Sequence, residues 1–198
     1  MVILAQYSKQ MRFLFILVMA MLASCSSKEN QDEKKFINYG TPLSRIMEEK
    51  GLNRDKIRIE ISKSEYTLFV KHGQEILKSY PVVLGPDPVN DKRMEGDGCT
   101  PEGIFGIRDK YPHRKWCRFI WLDYPNEDSW KKFNKAKAEG KIPQDATIGG
   151  EVGIHGVPNG KDSWIEKGEN WTLGCISLKN ADIVELYDVI TDDAKICI

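Results

Sequence analysis

Two residues in this chain have side chains suited to nucleophilic chemistry and stand in segments built to present them. His155 lies in Gly153-Ile154-His155-Gly156, and Cys175 closes Thr172-Leu173-Gly174-Cys175. A thiol needs a neighbouring base or cation to become a thiolate near neutral pH, and imidazole is the usual supplier. Gly174 lets the backbone turn sharply before the sulfur, exposing it and freeing backbone N–H groups to converge near it. Twenty positions separate His155 from Cys175, enough for a strand, a loop and a returning strand to bring them together. By themselves the two residues also fit an inert buried thiol and an unrelated histidine. A metal site fits poorly: the chain has three histidines, no Cys-x-x-Cys and no His-x-x-x-His.

The elements that must position these residues read mainly as β structure. Ile57, Ile59 and Ile61 alternate with charged residues at the strand period of two, and Tyr66 to Lys71, a turn at His72-Gly73 and Glu75 to Gly85 complete a three-strand meander. Residues 85–103, rich in Gly, Pro and Asp, form a long loop before a strand around Ile104 to Ile107. Further strands are expected at Glu151 to His155, Gly174 to Leu178 and Lys195 to Ile198. A short helix opens near Thr41 with Leu43, Ile46 and Met47 on one face. A second runs from Asn126 to Glu139 with Trp130, Phe133 and Ala136 inward. A third starts at Asn180 as cap, with Ile183, Val184, Leu186, Tyr187 and Ile190 as its apolar stripe. The expected fold is mainly β, a sandwich or barrel with a few peripheral α-helices.

Composition narrows the partners. The 198 residues suit one domain with appendages, and 29 Lys+Arg against 29 Asp+Glu leave no basic excess for holding nucleic acid. The apolar run Phe13 to Leu22, preceded by Lys9 and Arg12, is too short for a membrane span of about 20 residues and has the layout of a secretory signal peptide. It ends in Leu22-Ala23-Ser24-Cys25, which resembles the lipobox of bacterial lipoproteins, whose cysteine is lipidated and becomes the first mature residue. The expected organisation is a signal peptide over 1–24, a lipidated Cys25 with a polar tether over 25–35, and a single working domain over 36–198. Residues 26–35 contain no apolar side chain and cannot offset their ordering entropy by burial.

Taken in order, the motifs resemble the L,D-transpeptidase catalytic domain, also called the YkuD domain. That family carries a histidine-glycine segment followed by Ser/Thr-x-Gly-Cys, here Ile154-His155-Gly156 and Thr172-Leu173-Gly174-Cys175. Tyr80-Pro81-Val82-Val83-Leu84-Gly85 resembles its strand into the first glycine loop, Gly96-Asp97-Gly98-Cys99-Thr100-Pro101-Glu102-Gly103 its Gly-Asp-Gly-x-Thr-Pro-x-Gly segment, and Asn180 to Tyr187 its C-terminal helix. Matching segments thus run from about Ile57 to Tyr187. The resemblance implies a YkuD-like fold and acyl transfer on peptidoglycan stem tetrapeptides. Cys175 would attack the bond between the diamino acid and D-alanine, with His155 as base and an amine as acceptor. It implies neither cofactor nor metal. In the family's commonest form, histidine stands where Leu173 does and Arg or Asn where Ser177 does. This chain must therefore work without the second histidine.

Around that pair, Thr172 either orients the His155 ring or is simply a β-branched strand residue. Gly156, Trp171, Arg93 and Ser177 are the candidate substrate-binding residues. For Trp171 with Trp164 the competing reading is a loop anchored on the core, and for Arg93 a solvated charge. Cys99, Cys117 and Cys197 remain, Cys99 as an incidental residue of the glycine loop. The alternatives to transpeptidation are an L,D-carboxypeptidase, a hydrolase of a wall-protein linkage, and a non-catalytic wall-binding lipoprotein. The expected setting is the bacterial cell envelope: a monomer anchored in the membrane by lipid, facing the periplasm, on the outer membrane because Ser26 follows the cysteine.

Overall fold

The structure is a computed structural model that describes residues 35–198. The expected signal peptide, Cys25 and the tether up to residue 34 lie outside the described residues. Among those described, no helix is long and apolar enough to cross a membrane.

Helix α1 (Leu43–Glu49) and a 3₁₀ turn (Arg54–Lys56) lead into β1 (Ile57–Ser62), β2 (Thr67–His72) and β3 (Glu75–Pro81). After the glycine-rich loop come β4 (Ile104–Phe105), β5 (Ile107–His113), β6 (Cys117–Leu122), helix α2 (Glu127–Ala138), β7 (Gly153–His155), the one-turn α3 (Ser163–Glu166), β8 (Ile176–Ser177), helix α4 (Asn180–Val189) and β9 (Lys195–Cys197). The expected meander forms as two antiparallel pairings, with Ile59 opposite Val70 and Leu68 opposite Tyr80. It belongs to a five-stranded sheet of order β3-β2-β1-β9-β4, in which the last strand runs parallel to β1 and antiparallel to β4. The second sheet has the order β5-β6-β7-β8. Val83, just past β3, bridges to Ser177 of β8 and ties the two sheets together.

A mainly-β sandwich or barrel with peripheral helices is not what forms. The domain is mixed α/β, with 23% helix and 27% strand among the described residues, and neither sheet closes into a barrel. The reason lies in strand length. Strands β4 and β8 have two residues each, and β7 and β9 three, so the ladders are too short to wrap around one another. The core that a closing sheet would have supplied comes from helices instead. Helix α4 packs on β6 and on α1. It buries Ile183, Leu186 and Val189 beside Leu43, Ile46 and Met47 of α1. Each such side chain stabilises the fold by about 1.5–3 kcal/mol.

Two helix details also differ from expectation. In α2, Asn126 does cap the N-terminus, accepting from the Ser129 N–H at 3.0 Å. Its inner face, however, is Ser129, Phe133 and Ala136, spaced i, i+4, i+7, which turns Trp130 outward to 45% exposure. In α4 the N-cap position belongs to Lys179, and the Asn180 side chain instead accepts from the Val157 N–H at 3.1 Å, next to the histidine segment.

Candidate active site

Strand register brings the two chemical residues together. Strands β7 and β8 run parallel with Ile154 opposite Ile176 and His155 opposite Ser177. Cys175 immediately precedes β8, and the Gly153 N–H, two residues before His155 in β7, reaches its sulfur; continued by one residue, the register sets Cys175 beside Gly153, about 6.6 Å along the strand from the level of His155. Strand β6 adds Phe119 opposite His155 and Trp121 opposite Gly153. Strand β5 adds Tyr111 opposite Phe119 and Asp109 opposite Trp121. Two rows thus cross this sheet: Tyr111–Phe119–His155–Ser177, and Asp109–Trp121–Gly153–Cys175.

His155 is 2% exposed and boxed by aromatic rings. Trp116 stacks on it at 4.6 Å between centroids, Phe119 lies nearly parallel at 5.7 Å, and Trp171 meets it edge-on at 5.5 Å. Its Nδ1 sits 2.7 Å from the Gly156 carbonyl oxygen. A carbonyl only accepts, so that partner assigns the proton to Nδ1 and leaves the lone pair on Nε2. Burial pushes the imidazole pKa down to about 4, against the pull of the Gly156 carbonyl and with a further small push from His113. At neutral pH His155 is therefore an uncharged base. His113 stacks on Trp116 at 4.5 Å, and its Nδ1 accepts from the Trp116 N–H at 3.1 Å, which holds the ring box from behind.

Cys175 sits at the end of a turn fixed by Thr172. The buried Thr172 hydroxyl donates to the Cys175 carbonyl at 2.7 Å and accepts from the Gly174 N–H at 3.2 Å. Gly174 has φ of 128°, and a Cβ there would lie 2.5 Å from the Cys99 carbonyl oxygen. A Cβ on Gly85 would lie 2.0 Å from the Gly98 carbonyl oxygen and 3.2 Å from the Gly174 nitrogen. Only glycine fits these approaches, which pack the exit from β3, the glycine-rich loop and the nucleophile turn against one another. The thiol donates to the Glu151 carbonyl at 3.5 Å. Part of the residue's surface is open, yet the sulfur is enclosed densely enough that burial pushes its pKa up to about 11. The Gly153 N–H and the Lys92 charge pull the other way, and Glu151 adds to the rise.

The fold gathers His155, Gly156, Thr172, Gly174, Cys175 and Ser177 into one cluster, with roles partly different from those expected. The Thr172 hydroxyl serves the turn, not the imidazole. Ser177 is fully buried, its Oγ 3.4 Å from the same Gly156 oxygen that holds His155, so it lies beneath the ring's support. Trp171 packs on Val83, Val157 and Ile165 as well as on His155, so it is both a core anchor and a site wall. Arg93 is exposed, and its side-chain charge acts on Glu139. Its neighbour Lys92 points inward instead, to 3.8 Å from where a Gly174 Cβ would be. Trp116, Phe119, Lys92 and Glu151 escaped the sequence reading. The aromatic density of Trp116 to Trp121 was the available signal for the first two.

Among the described residues, no three His, Cys, Asp or Glu side chains are grouped to hold a metal ion, and all four cysteines are free thiols. A thiol on a backbone turn beside a buried neutral imidazole has the makings of a cysteine-dependent acyltransferase. The chain belongs to the YkuD family, the L,D-transpeptidase catalytic domain, whose model matches residues 56–198.

Among solved structures, the helical cell shape determining protein Pgp2 from Campylobacter jejuni, in a single-residue variant, is 20% identical with a TM-score of 0.50; the match covers 78% of this chain and 53% of that one. Bd1075 from Bdellovibrio bacteriovorus is 23% identical over 72% of this chain and 47% of its own, with a TM-score of 0.48. An L,D-transpeptidase from Mycobacterium smegmatis is 18% identical over 72% and 58%, with a TM-score of 0.43. The chain thus spans about half the length of the first two. No curated protein sequence matches it.

Proposed function

We propose that this domain is a peptidoglycan L,D-transpeptidase working through a Cys175 thioester. The observation that carries the reading is the pairing of a Nδ1–H···O=C bond at 2.7 Å on His155 with Cys175 beside Gly153 of the same strand. That bond directs the basic Nε2 away from Gly156 and keeps it available to a thiol proton. The thiol and imidazole both rest neutral, so the proton moves to Nε2 as the sulfur attacks, not before. The attacked carbonyl is that of the diamino acid, bonded to the terminal D-alanine of a stem tetrapeptide. Because Thr172 holds the Gly174 N–H, the Cys175 N–H is the donor the turn offers to the tetrahedral oxyanion. His155 then returns the proton to the D-alanine amine, the C–N bond breaks, and the acyl group remains on sulfur. An amine of a second stem attacks the thioester, His155 takes its proton, and the thiol is restored.

One observation favours a second reading, L,D-carboxypeptidase activity. Leu173, beside the nucleophile, is 84% exposed and Cys175 keeps open surface, so water has access to the thioester. Incubation with disaccharide-tetrapeptide followed by mass spectrometry separates the two: D-alanine loss with dimers supports transfer, and loss without dimers supports hydrolysis. Either product persisting in Cys175→Ala would refute the mechanism. No product from the wild type would favour a wall-binding protein or a hydrolase of a wall-protein linkage.

We also propose lipid anchoring through Cys25 in the bacterial envelope, supported by Leu22-Ala23-Ser24-Cys25. Metabolic palmitate labelling that disappears in Cys25→Ala tests it, and label retained by that variant rejects it.

A further inference from the structure

The mechanism leaves one question of charge. Attack requires negative charge on Cys175 sulfur at some point along the path, and the groups facing it do little to receive it. Glu151 and Tyr111 are acidic groups whose interactions reach the thiol. His155 is neutral, its one ring N–H committed to Gly156. Leu173 carries no charge, and the Arg93 side chain lies out by Glu139. Apart from the Gly153 N–H dipole, Lys92 is the cation among the described residues whose charge acts on the sulfur.

Lys92 is also built in. Its side chain is 4% exposed, and Nζ lies 2.9 Å from Asp97 Oδ1 and 3.1 Å from the Met94 carbonyl oxygen. The same ammonium lies 3.8 Å from the position a Cβ would take on Gly174, the residue before the nucleophile. Asp97 is itself anchored, by the N–H groups of Arg93 at 2.6 Å, Met94 at 3.0 Å and Cys99 at 3.0 Å. Burying a lysine costs several kcal/mol unless paired, and a surface lysine could have bound the loop at no such cost. An ammonium has three donors, of which two are accounted for by Asp97 and Met94.

We propose that Lys92 is a positioning residue for the nucleophile: its ammonium, set behind Gly174 by Asp97 and the Met94 carbonyl, stabilises the Cys175 thiolate where no second histidine stands. The proposal rests on Cys175 being the nucleophile, as argued above. Asp97 fixes the place of the ammonium, so it acts on the thiol through Lys92.

The test is the pH dependence of Cys175 alkylation by iodoacetamide in the full chain, quantified on the Cys175 peptide by mass spectrometry so that other cysteines do not interfere. Lys92→Met is expected to raise the pH midpoint, read as a fall of about 10-fold or more in alkylation rate at a fixed pH below it, because an opposite charge nearby is lost. Lys92→Arg keeps the charge and is expected to restore most of that shift. Asp97→Asn leaves the ammonium held by the Met94 carbonyl and is expected to raise the midpoint by less than Lys92→Met does. A merely structural role predicts the same upward shift in Lys92→Met and Lys92→Arg, set by damage to the loop. An unmoved midpoint in Lys92→Met, or a shift in Lys92→Arg as large as in Lys92→Met, overturns the proposal, and Lys92→Gln gives the same reading where Lys92→Met does not fold. Alkylation needs no substrate. Wild-type turnover of the tetrapeptide with an unmoved midpoint would therefore sink the lysine's role while leaving acyl transfer standing.

Discussion

His155 and Asp182 are both buried ionisable groups, and their surroundings differ in kind. Around His155 there are rings and one carbonyl. Around Asp182, under α1 and α4, there is a network of charges and hydroxyls. Tyr39 donates to Asp182 at 2.9 Å, Tyr80 donates to Glu185 at 2.7 Å, and Lys78 lies 2.9 Å from Glu185 and donates to the Thr41 carbonyl at 2.6 Å. The Leu43 N–H also donates to Glu185, so this one carboxylate ties the start of α1 to β3 and α4. Burial, then the charge of Glu185, raises the Tyr80 pKa and keeps the phenol protonated as a donor. A cleft of about 590 Å³ opens over this network, yet no cysteine or histidine lines it. This cleft thus lacks the side chains that the proposed chemistry needs. The difference is one of purpose: a base must stay unprotonated but available, which an apolar box achieves, whereas a brace must pair its buried polar atoms, which needs partners.

The contrast breaks most visibly when one member of each set is removed. His155→Gln is expected to lower D-alanine release about 100- to 10,000-fold, the usual span for a general acid–base, while the chain stays folded. Lys78→Met is expected to do the reverse. It removes the ion-pair partner of Glu185, which costs about 3–5 kcal/mol in urea unfolding, while activity per folded molecule persists. A Lys78→Met protein of wild-type stability would mean that the network is not a brace.

Acid titration sharpens the contrast, because the two groups contribute with opposite sign. Burial lowers the folded pKa of His155 from 6.5 to about 4. Its contribution is present above pH 6.5 and is lost as pH falls toward 4, a loss of roughly 3 kcal/mol. Burial raises the folded pKa of Asp182 from 3.8 to about 6, against the Tyr39 hydrogen bond and the Lys179 and Lys78 charges. Its contribution is fully present below pH 3.8 and is lost as pH rises through 6, by a similar amount. Between pH 6 and 4 the two largely offset each other. Measured relative to wild type, so that the remaining carboxylates cancel, His155→Gln should gain stability over that interval and Asp182→Asn should lose it. Parallel curves for the two variants would contradict the assignment.

How much of this was legible depends on the range of the interaction. The meander could be read because Ile57, Ile59 and Ile61 alternate locally. The insertion of β9 beside β1 could not, since three residues carry no period and their partner is 137 positions away. His155 and Cys175 announced themselves by flanking glycines, whereas the Trp116 and Phe119 walls exist only through the pairing of β6 with β7. The helical stripes were visible, but not their weight: the pattern from Ile183 to Ile190 does not say that a helix replaces the second face of a sandwich. Arg93 and Lys92 are adjacent basic residues, and which one turns inward is decided by Asp97 capturing the Arg93 and Met94 N–H groups.

The finest version of the comparison lies within the nucleophile turn itself, between two neighbours. Thr172 is 4% exposed and Leu173 84%. Thr172→Val keeps the shape but removes the hydroxyl that accepts from Gly174 and donates to Cys175, leaving buried backbone groups unpaired at a cost of about 1–3 kcal/mol. Turnover should fall with it, because the turn that aims the sulfur is no longer held. Leu173→Ser removes only solvent-facing apolar surface and should change stability by no more than about 0.5 kcal/mol. Its turnover is informative in a different way. A turnover change of several-fold, with stability intact, would mean that the exposed leucine contacts substrate, and that the position occupied by histidine in the family's commonest form has been given to apolar recognition. Unchanged turnover would leave Leu173 as bare surface and keep the whole burden of activating Cys175 on the buried side of the turn.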